Sequence, residues 1–271
     1  MKYIILFTAL VYSITAIAND TIVDERTGIK IIFSAEGKIF PENWYEEKIN
    51  AQATSLDTTE YSRSEKIIKA ALQKYPVELL KKNLRKIYIL KDVTFYGQPF
   101  GGTNSTSNVY LSNNGINEGY TDFYLEQLFH KEFSSILLRN YKKNFKEEEW
   151  VKCNSTDFKY GNGGVQALKD NKDSENLDTE LNKAGFINQY ATSSIENDFN
   201  AFAGNLFLPK NEFIQAITDH NRLKKKRKIM MEFYSKLDNS LTEKYFDDIL
   251  YKTTTTLEDG GDSKNSKGND Q

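Results

Sequence analysis

The chain has 271 residues, with 36 lysines and arginines against 38 aspartates and glutamates, and a formal net charge of −2. A chain this close to neutral has no overall positive field that would gather a polyanion, so no nucleic-acid partner is expected. Hydrophobic residues make up 39% of the sequence, which is enough for one domain with a real core, and the single cysteine excludes an intramolecular disulfide.

The first 18 residues have the features of a signal peptide. Lys2 precedes an apolar run over residues 3–14, and small residues follow at Ala16 and Ala18. The run is short for a bilayer span, and no second long apolar stretch follows it, so no transmembrane segment is predicted. We therefore expect export to a periplasm or an extracellular space, with a retained amphipathic anchor as the alternative.

The residues after this segment predict a mixture of strands and helices. Residues 28–34 resemble a strand, and Pro41 is placed to open a helix over residues 42–53. A helical pattern over residues 64–82 is expected to bend or divide at Pro76. Further strands are predicted at 84–93 and 109–111, joined by a glycine-rich loop that is either a ligand cradle or an ordinary turn.

The second half of the chain is predicted to be mainly helical. Apolar residues at helical spacing indicate a helix over 121–141 and another from residue 194, separated by a long polar connection over 154–185. Two closing helices are expected at 211–237 and 241–251. We predict an α+β fold with one domain over residues 19–252, in which a small sheet packs against the helices, followed by a disordered polar tail over 253–271.

A dense cationic run occupies residues 224–228 of the first closing helix. Five consecutive basic residues could contact anionic lipid or a polyanionic envelope polymer. A solvated helix face is the alternative that we favour. The role of the run is left open.

Two sequence blocks carry a family resemblance. Residues 128–141 (LFHKEFSSILLRNY) and residues 185–199 (GFINQYATSSIENDF) resemble the active-site helix and the second conserved block of a gluzincin-like family of zinc-binding metallopeptidases, found in bacteria in secreted and lipoprotein form. The resemblance covers residues 84–208. It implies a zincin-like fold, a peptide or protein substrate, and a bound zinc ion.

The resemblance also assigns roles to individual positions. In such enzymes two histidines four residues apart on one helix hold the zinc ion, and the glutamate after the first histidine acts as general base. In this chain Lys131 and Ser135 occupy the two histidine positions, Glu132 keeps the base position, and Asn197 aligns with the third ligand. An ammonium group has no lone pair to donate, and a neutral hydroxyl is a poor ligand, so this set is not expected to hold zinc.

Other arrangements of the same residues remain open. His130 and Glu126 lie one helical turn apart and could together reach a metal ion, or they could form a hydrogen-bonded structural pair. Lys131 could take the place of the metal by pairing with Glu132 or Asp198. Glu196 could complete a capping box with Ser193, which would explain it without chemistry.

Two functions are the leading candidates for a chain with this pattern. The first is peptide-bond hydrolysis with Glu132 as general base and an atypical zinc site. The second is binding of a peptide or an envelope partner in a former catalytic cleft, without hydrolysis. In both cases a peptide is expected to add to a strand edge near residues 109–111. A purely structural or interaction protein is a third possibility, and the oligomeric state is left open.

Overall fold

The computed structural model describes residues 19–261, with side chains over 19–253. The predicted signal peptide at residues 1–18 lies outside this range. No helix in the described part is both long and apolar enough to cross a membrane.

The described strands form one mixed sheet. Its order is β1-β2-β4-β7-β6, and β3 and β5 both pair with the C-terminal part of the long strand β4, at residues 90–95. Strand β4 runs parallel to β2 and β7, whereas β6 runs antiparallel to β7. The strands are β1 (Thr21–Val23), β2 (Lys30–Ile32), β3 (Gln52–Ser55), β4 (Lys86–Phe95), β5 (Gln98–Pro99), β6 (Gly102–Asn104) and β7 (Asn108–Ser112).

Helices account for most of the remaining described chain, so the predicted α+β class is confirmed. Their hydrophobic faces supply the larger of the cores, which lies against one face of the sheet. The helices are α1 (Tyr61–Gln73), α2 (Val77–Asn83), α3 (Asp122–Asn140), α4 (Glu147–Lys152), α5 (Gly164–Lys169), α6 (Thr179–Ala184), α7 (Ile195–Phe207), α8 (Asn211–Asp219), α9 (Asn221–Leu237) and α10 (Glu243–Gly261).

Helix α3 is the central element of the fold. Its first turn is capped by the Thr121 side chain, which accepts a hydrogen bond from the Tyr124 amide at 3.1 Å. Apolar residues on several sides let it pack against α1, the sheet and α7 together. The contact with α7 is close because of Gly204, where a Cβ atom would lie 2.8 Å from Cγ of Lys131. The two sequence blocks predicted to share a groove are therefore in direct contact.

The prediction of a helix over residues 42–53 is wrong. The chain makes a single helical turn at Glu42–Tyr45, turns back at Asn50 with φ of 50°, and then enters strand β3. Aromatic packing decides this local structure, because Trp44 lies against the ring of Phe95 on the second face of the sheet. The tertiary contact overrides the helical pattern of the segment.

Three further boundaries differ from the prediction. The connection over 154–185 contains the short helices α5 and α6, and the closing helix over 211–237 is divided at His220 into α8 and α9. Helix α10 continues to Gly261, so the first part of the predicted disordered tail is helical. The rest of that tail lies outside the described residues. The division of residues 64–82 at Pro76 is confirmed.

Candidate functional site

A groove of about 700 Å³ lies between the sheet edge and the helices. One wall is the backbone of β6 and the segment before it, the floor is α3, and the far walls are the first turns of α7 and α5. Positions 131, 132 and 135 all open onto this groove. The structure therefore brings together the candidate residues of α3 that the resemblance singled out.

Strand β6 presents an unpaired backbone edge to the groove. The Ser112 amide donates to the Gly101 carbonyl at 2.7 Å, and the Ser105 amide donates to the Asn108 carbonyl at 2.9 Å. In an antiparallel pair, every second residue of a strand points its amide and carbonyl groups toward the partner strand. In β6 and its flanks these are residues 101, 103 and 105, so Gly102 and Asn104 point their amide and carbonyl groups away from β7. Within the described residues no strand pairs with that side of β6.

The position of this edge corrects the sequence interpretation. The edge was expected at residues 109–111, which lie in β7. That strand is internal, because it pairs with β4 on one side and with β6 on the other. The short strand β6 lies in the glycine-rich loop and carries too few hydrophobic residues to be recognised from sequence.

Glu132 lies on the groove side of α3 and is half-buried. Its carboxylate oxygen Oε2 accepts a hydrogen bond from Nδ2 of Asn104 at 2.5 Å, which links α3 to β6. Burial raises the pKa of Glu132 to about 7, against the lowering effects of Asn104 and Lys131. The neighbouring carboxylates of Glu175 and Glu196 contribute to this increase in the pKa. Glu132 therefore exchanges a proton near neutral pH.

Lys131 has a different partner from those expected. Its ammonium forms an ion pair with Glu175, which belongs to the connection between α5 and α6, and it lies 5.7 Å from the ring centre of Tyr190. The Lys131 side chain is only 8% exposed. The predicted pairing with Glu132 or Asp198 is not observed, although Lys131 does contribute an electrostatic field at Glu132.

Ser135 and Arg139 connect α3 to the start of α7. The Ser135 hydroxyl donates to the Glu196 carboxylate, and Arg139 Nη1 donates to Glu196 Oε1 and to Ser135 Oγ at 2.8 Å each. Arg139 Nη2 also donates to the side-chain oxygen of Asn104 and to the Ser105 carbonyl. One guanidinium therefore joins α3, α7 and β6 at one end of the groove.

Glu196 and Asn197 both line the groove at the start of α7 but make different contacts. The Glu196 carboxylate reaches the side chain of Ser135, whereas the side-chain amide of Asn197 (Nδ2) donates to the Ser193 hydroxyl at 2.8 Å. The predicted capping box is wrong. The hydroxyl of Ser194 caps α7 by accepting a hydrogen bond from the backbone amide of Asn197 at 3.0 Å, and the Glu196 carboxylate faces the groove instead of the cap.

His130 faces the core instead of the groove. It is 0% exposed, its Nδ1 lies 2.9 Å from the Tyr75 hydroxyl, and its ring stacks on Phe207. Burial lowers its pKa to about 4, so the imidazole is neutral at physiological pH. Glu126 Oε1 is 3.5 Å from His130 Nε2 but 2.7 Å from the Lys74 ammonium. His130 Nε2 and Glu126 Oε1 are both buried without a hydrogen-bond partner within the described residues, so the hydrogen bond expected between the two side chains is not observed.

The residues of the groove do not fit a zinc ion. Zinc sites are built from imidazole, thiolate and carboxylate ligands, and here the two central positions are an ammonium that is already paired and a hydroxyl that already donates to Glu196. His130 and Glu126 supply only two potential metal ligands, and both lie on the buried side of α3. Among the described residues no group of three or more histidine, cysteine, aspartate or glutamate side chains could hold a metal ion.

Asp198 belongs to a buried cluster on the other side of α7. Its Oδ2 accepts hydrogen bonds from Trp150 Nε1 at 2.8 Å, Tyr160 Oη at 2.6 Å and Lys226 Nζ at 2.5 Å. Both charged side chains are 0% exposed. Lys226 lies within the cationic run, so the favoured interpretation of that run as a solvated face is wrong at Lys226, and the neighbouring Arg227 is also largely covered, with a side chain that is 15% exposed.

Comparisons with known proteins give limited information. No family model and no curated protein sequence matches this chain. Among solved structures, it is similar to a crystal structure from Bacteroides caccae described as a "putative zinc-binding metallo-peptidase", with 15% sequence identity and a TM-score of 0.47. The alignment covers 75% of this chain and 81% of that one. This degree of similarity establishes neither the family nor the activity of the chain.

Proposed function

We propose that this chain is an exported protein that binds an extended peptide segment in the groove between β6 and α3, without metal-dependent hydrolysis. The observation that carries the proposal is the open backbone edge of β6 beside the groove. Its outward-facing amide and carbonyl groups at Gly102 and Asn104 can pair with a peptide main chain. Export enters the proposal through the signal-like pattern of residues 1–18.

The groove is suited to an added strand. Gly102 has no side chain, and a Cβ atom there would lie 3.1 Å from Cγ of Glu132 and 3.1 Å from Leu128. This close approach keeps the β6 backbone directly above α3. A peptide paired with β6 would gain main-chain hydrogen bonds from the strand, while its alternate side chains would enter the groove.

The side chains at the two histidine positions explain why no metal-dependent step is proposed. Lys131 and Ser135 are not suitable zinc ligands, and each already makes a polar contact within the protein. A carboxylate alone accepts a proton from water, but the polarisation of the scissile carbonyl would still have to come from another group.

Peptide-bond hydrolysis remains the second candidate because of Glu132. A carboxylate whose pKa is raised to about 7 is well matched to general-base catalysis at neutral pH. This one property favours catalysis, whereas the identities of residues 131 and 135 oppose it.

The first experiment separates the two functions. Elemental zinc would be measured in the purified chain, together with cleavage of a general protein substrate, and Glu132→Gln would serve as the control for cleavage. We expect neither stoichiometric zinc nor cleavage that depends on Glu132. If both are found, hydrolysis replaces binding as the function.

The second experiment tests strand addition itself. Short peptides with blocked ends would be titrated into isotope-labelled protein, and the amide signals of β6 would be followed by NMR. We expect the amides of Gly102 and Asn104 to shift more than that of Thr103. Methylation of the peptide backbone nitrogen at alternate residues should abolish binding in one register and spare it in the other. Equal tolerance of methylation at every position would rule out strand addition.

A further inference from the structure

The groove has more acidic than basic groups on its walls. Its lining includes four carboxylates (Glu132, Asp173, Glu175 and Glu196) and two cations (Lys131 and Arg139), a difference of two negative charges when every carboxylate is ionised. Both cations are already paired, with Glu175 and Glu196 respectively. The protein therefore leaves acceptor charge in the groove without a cation of its own to match it.

Asn200 provides a second and independent observation. It lines the same groove and is only 8% exposed, yet its buried side-chain oxygen Oδ1 accepts no hydrogen bond within the described residues. On α7 it lies one turn after Glu196 and one turn before Gly204, which contacts Lys131. A buried acceptor without a partner is costly, and a donor from a ligand would satisfy it.

The second carboxylate oxygen of Glu132 is a further acceptor in this groove. Asn104 bonds to Oε2, and no hydrogen bond to Oε1 occurs within the described residues. The buried oxygen of Asn200 requires a donor, Glu132 Oε1 can accept one, and the net charge of the groove lining is negative. An ammonium or a guanidinium supplies several N–H donors together with the opposite charge.

We propose that the peptide bound in this groove carries a lysine or arginine side chain that enters between α3 and α7 and donates to Glu132 and Asn200. This inference rests on the proposed function, because the main chain of the same peptide pairs with β6. The basic side chain adds selectivity, whereas the strand pairing is independent of sequence.

The test compares four synthetic peptides that differ only at the central residue or at the amino terminus. Three have blocked ends and carry lysine, arginine or norleucine at the centre, and the fourth is the norleucine peptide with a free amino terminus. Binding to the full chain would be measured by fluorescence anisotropy near pH 8. We expect the lysine and arginine peptides to bind about tenfold more tightly than the blocked norleucine peptide.

Two variants assign the preference to the groove. In Glu132→Gln the preference for a basic residue, measured as the ratio of the affinities of the lysine and norleucine peptides, should fall to about twofold or less. Glu148→Gln is the matched control, because Glu148 is exposed on α4 away from the groove, and it should keep the full preference.

The outcomes separate the preference for a basic residue from peptide binding itself. Equal binding of the three blocked peptides would overturn the basic-residue inference but leave peptide binding in place. A preference that survives Glu132→Gln, or a free-amine norleucine peptide that binds as tightly as the lysine peptide, would also overturn it. Failure of all four peptides to bind would overturn the proposed function itself.

Discussion

Replacing Glu132 with glutamine is expected to stabilise the fold at neutral and alkaline pH. The pKa of Glu132 is raised from an ordinary 4.5 to about 7 in the folded chain, mainly by burial. Between these two values the folded state holds a proton that the unfolded state has released. The free energy of unfolding of the wild-type chain therefore falls as pH rises through this interval, and the loss is complete above the folded pKa.

The magnitude follows from the two pKa values. Each pH unit between them changes the free energy of unfolding by about 1.4 kcal/mol, so the whole interval corresponds to about 3.5 kcal/mol at most. The glutamine side chain does not titrate, and its oxygen can still accept the hydrogen bond from Asn104. The stability advantage of Glu132→Gln should thus be small near pH 5 and approach this limit near pH 8.

Urea unfolding followed by tryptophan fluorescence measures this difference. Wild type, Glu132→Gln and the surface control Glu148→Gln would be unfolded at several pH values from about 5 to about 8, with linear extrapolation to zero denaturant. The control should run parallel to wild type. If Glu132→Gln also runs parallel to wild type over this range, then the Glu132 carboxylate titrates as a solvated group and the reasoning about its burial fails.

Two further predictions concern the metal positions and the buried ion pair. The double variant Lys131→His, Ser135→His should acquire stoichiometric zinc, measured by elemental analysis, and we expect Glu196 to supply the third ligand because its carboxylate reaches the side chain at position 135. Adding Glu196→Gln should abolish zinc binding, and zinc retention in that triple variant would refute this role of Glu196. Lys226→Met should lower the free energy of unfolding by about 3 to 5 kcal/mol, because it leaves a buried carboxylate without its cation. The adjacent exposed Lys225→Met should change it by less than about 0.5 kcal/mol, and equal effects in urea unfolding would contradict the burial of the pair.

The elements with strong periodicity could be predicted from the sequence. The contact between the two helices that carry the family-like blocks could also be predicted. Helices α3 and α7 and strand β4 follow from apolar spacing, and the expectation that the Glu132 and Asn197 neighbourhoods share a groove is confirmed. The partner of Lys131 could not be predicted, because Glu175 comes from a polar connection without any local pattern. Its position depends on how the whole connection folds back over α3.

Lys226 shows a signal that was present but overlooked. It lies three residues after Leu223 and three before Ile229, both of which are buried, so it occupies the apolar stripe of α9. The neighbouring lysines in the run concealed this position. Periodicity could thus have indicated a buried lysine, although it could not have identified Asp198 as the partner.

The buried pair of Asp198 and Lys226 has a consequence for the groove that it does not touch. Residues two positions apart on a helix point about 160° away from each other, so Glu196 and Asp198 project from nearly opposite sides of α7. Anchoring Asp198 on one side sets the rotational angle of the helix, and with it the direction in which Glu196 projects on the other. The orientation of the Glu196 carboxylate in the groove therefore depends on an ion pair located behind the groove wall.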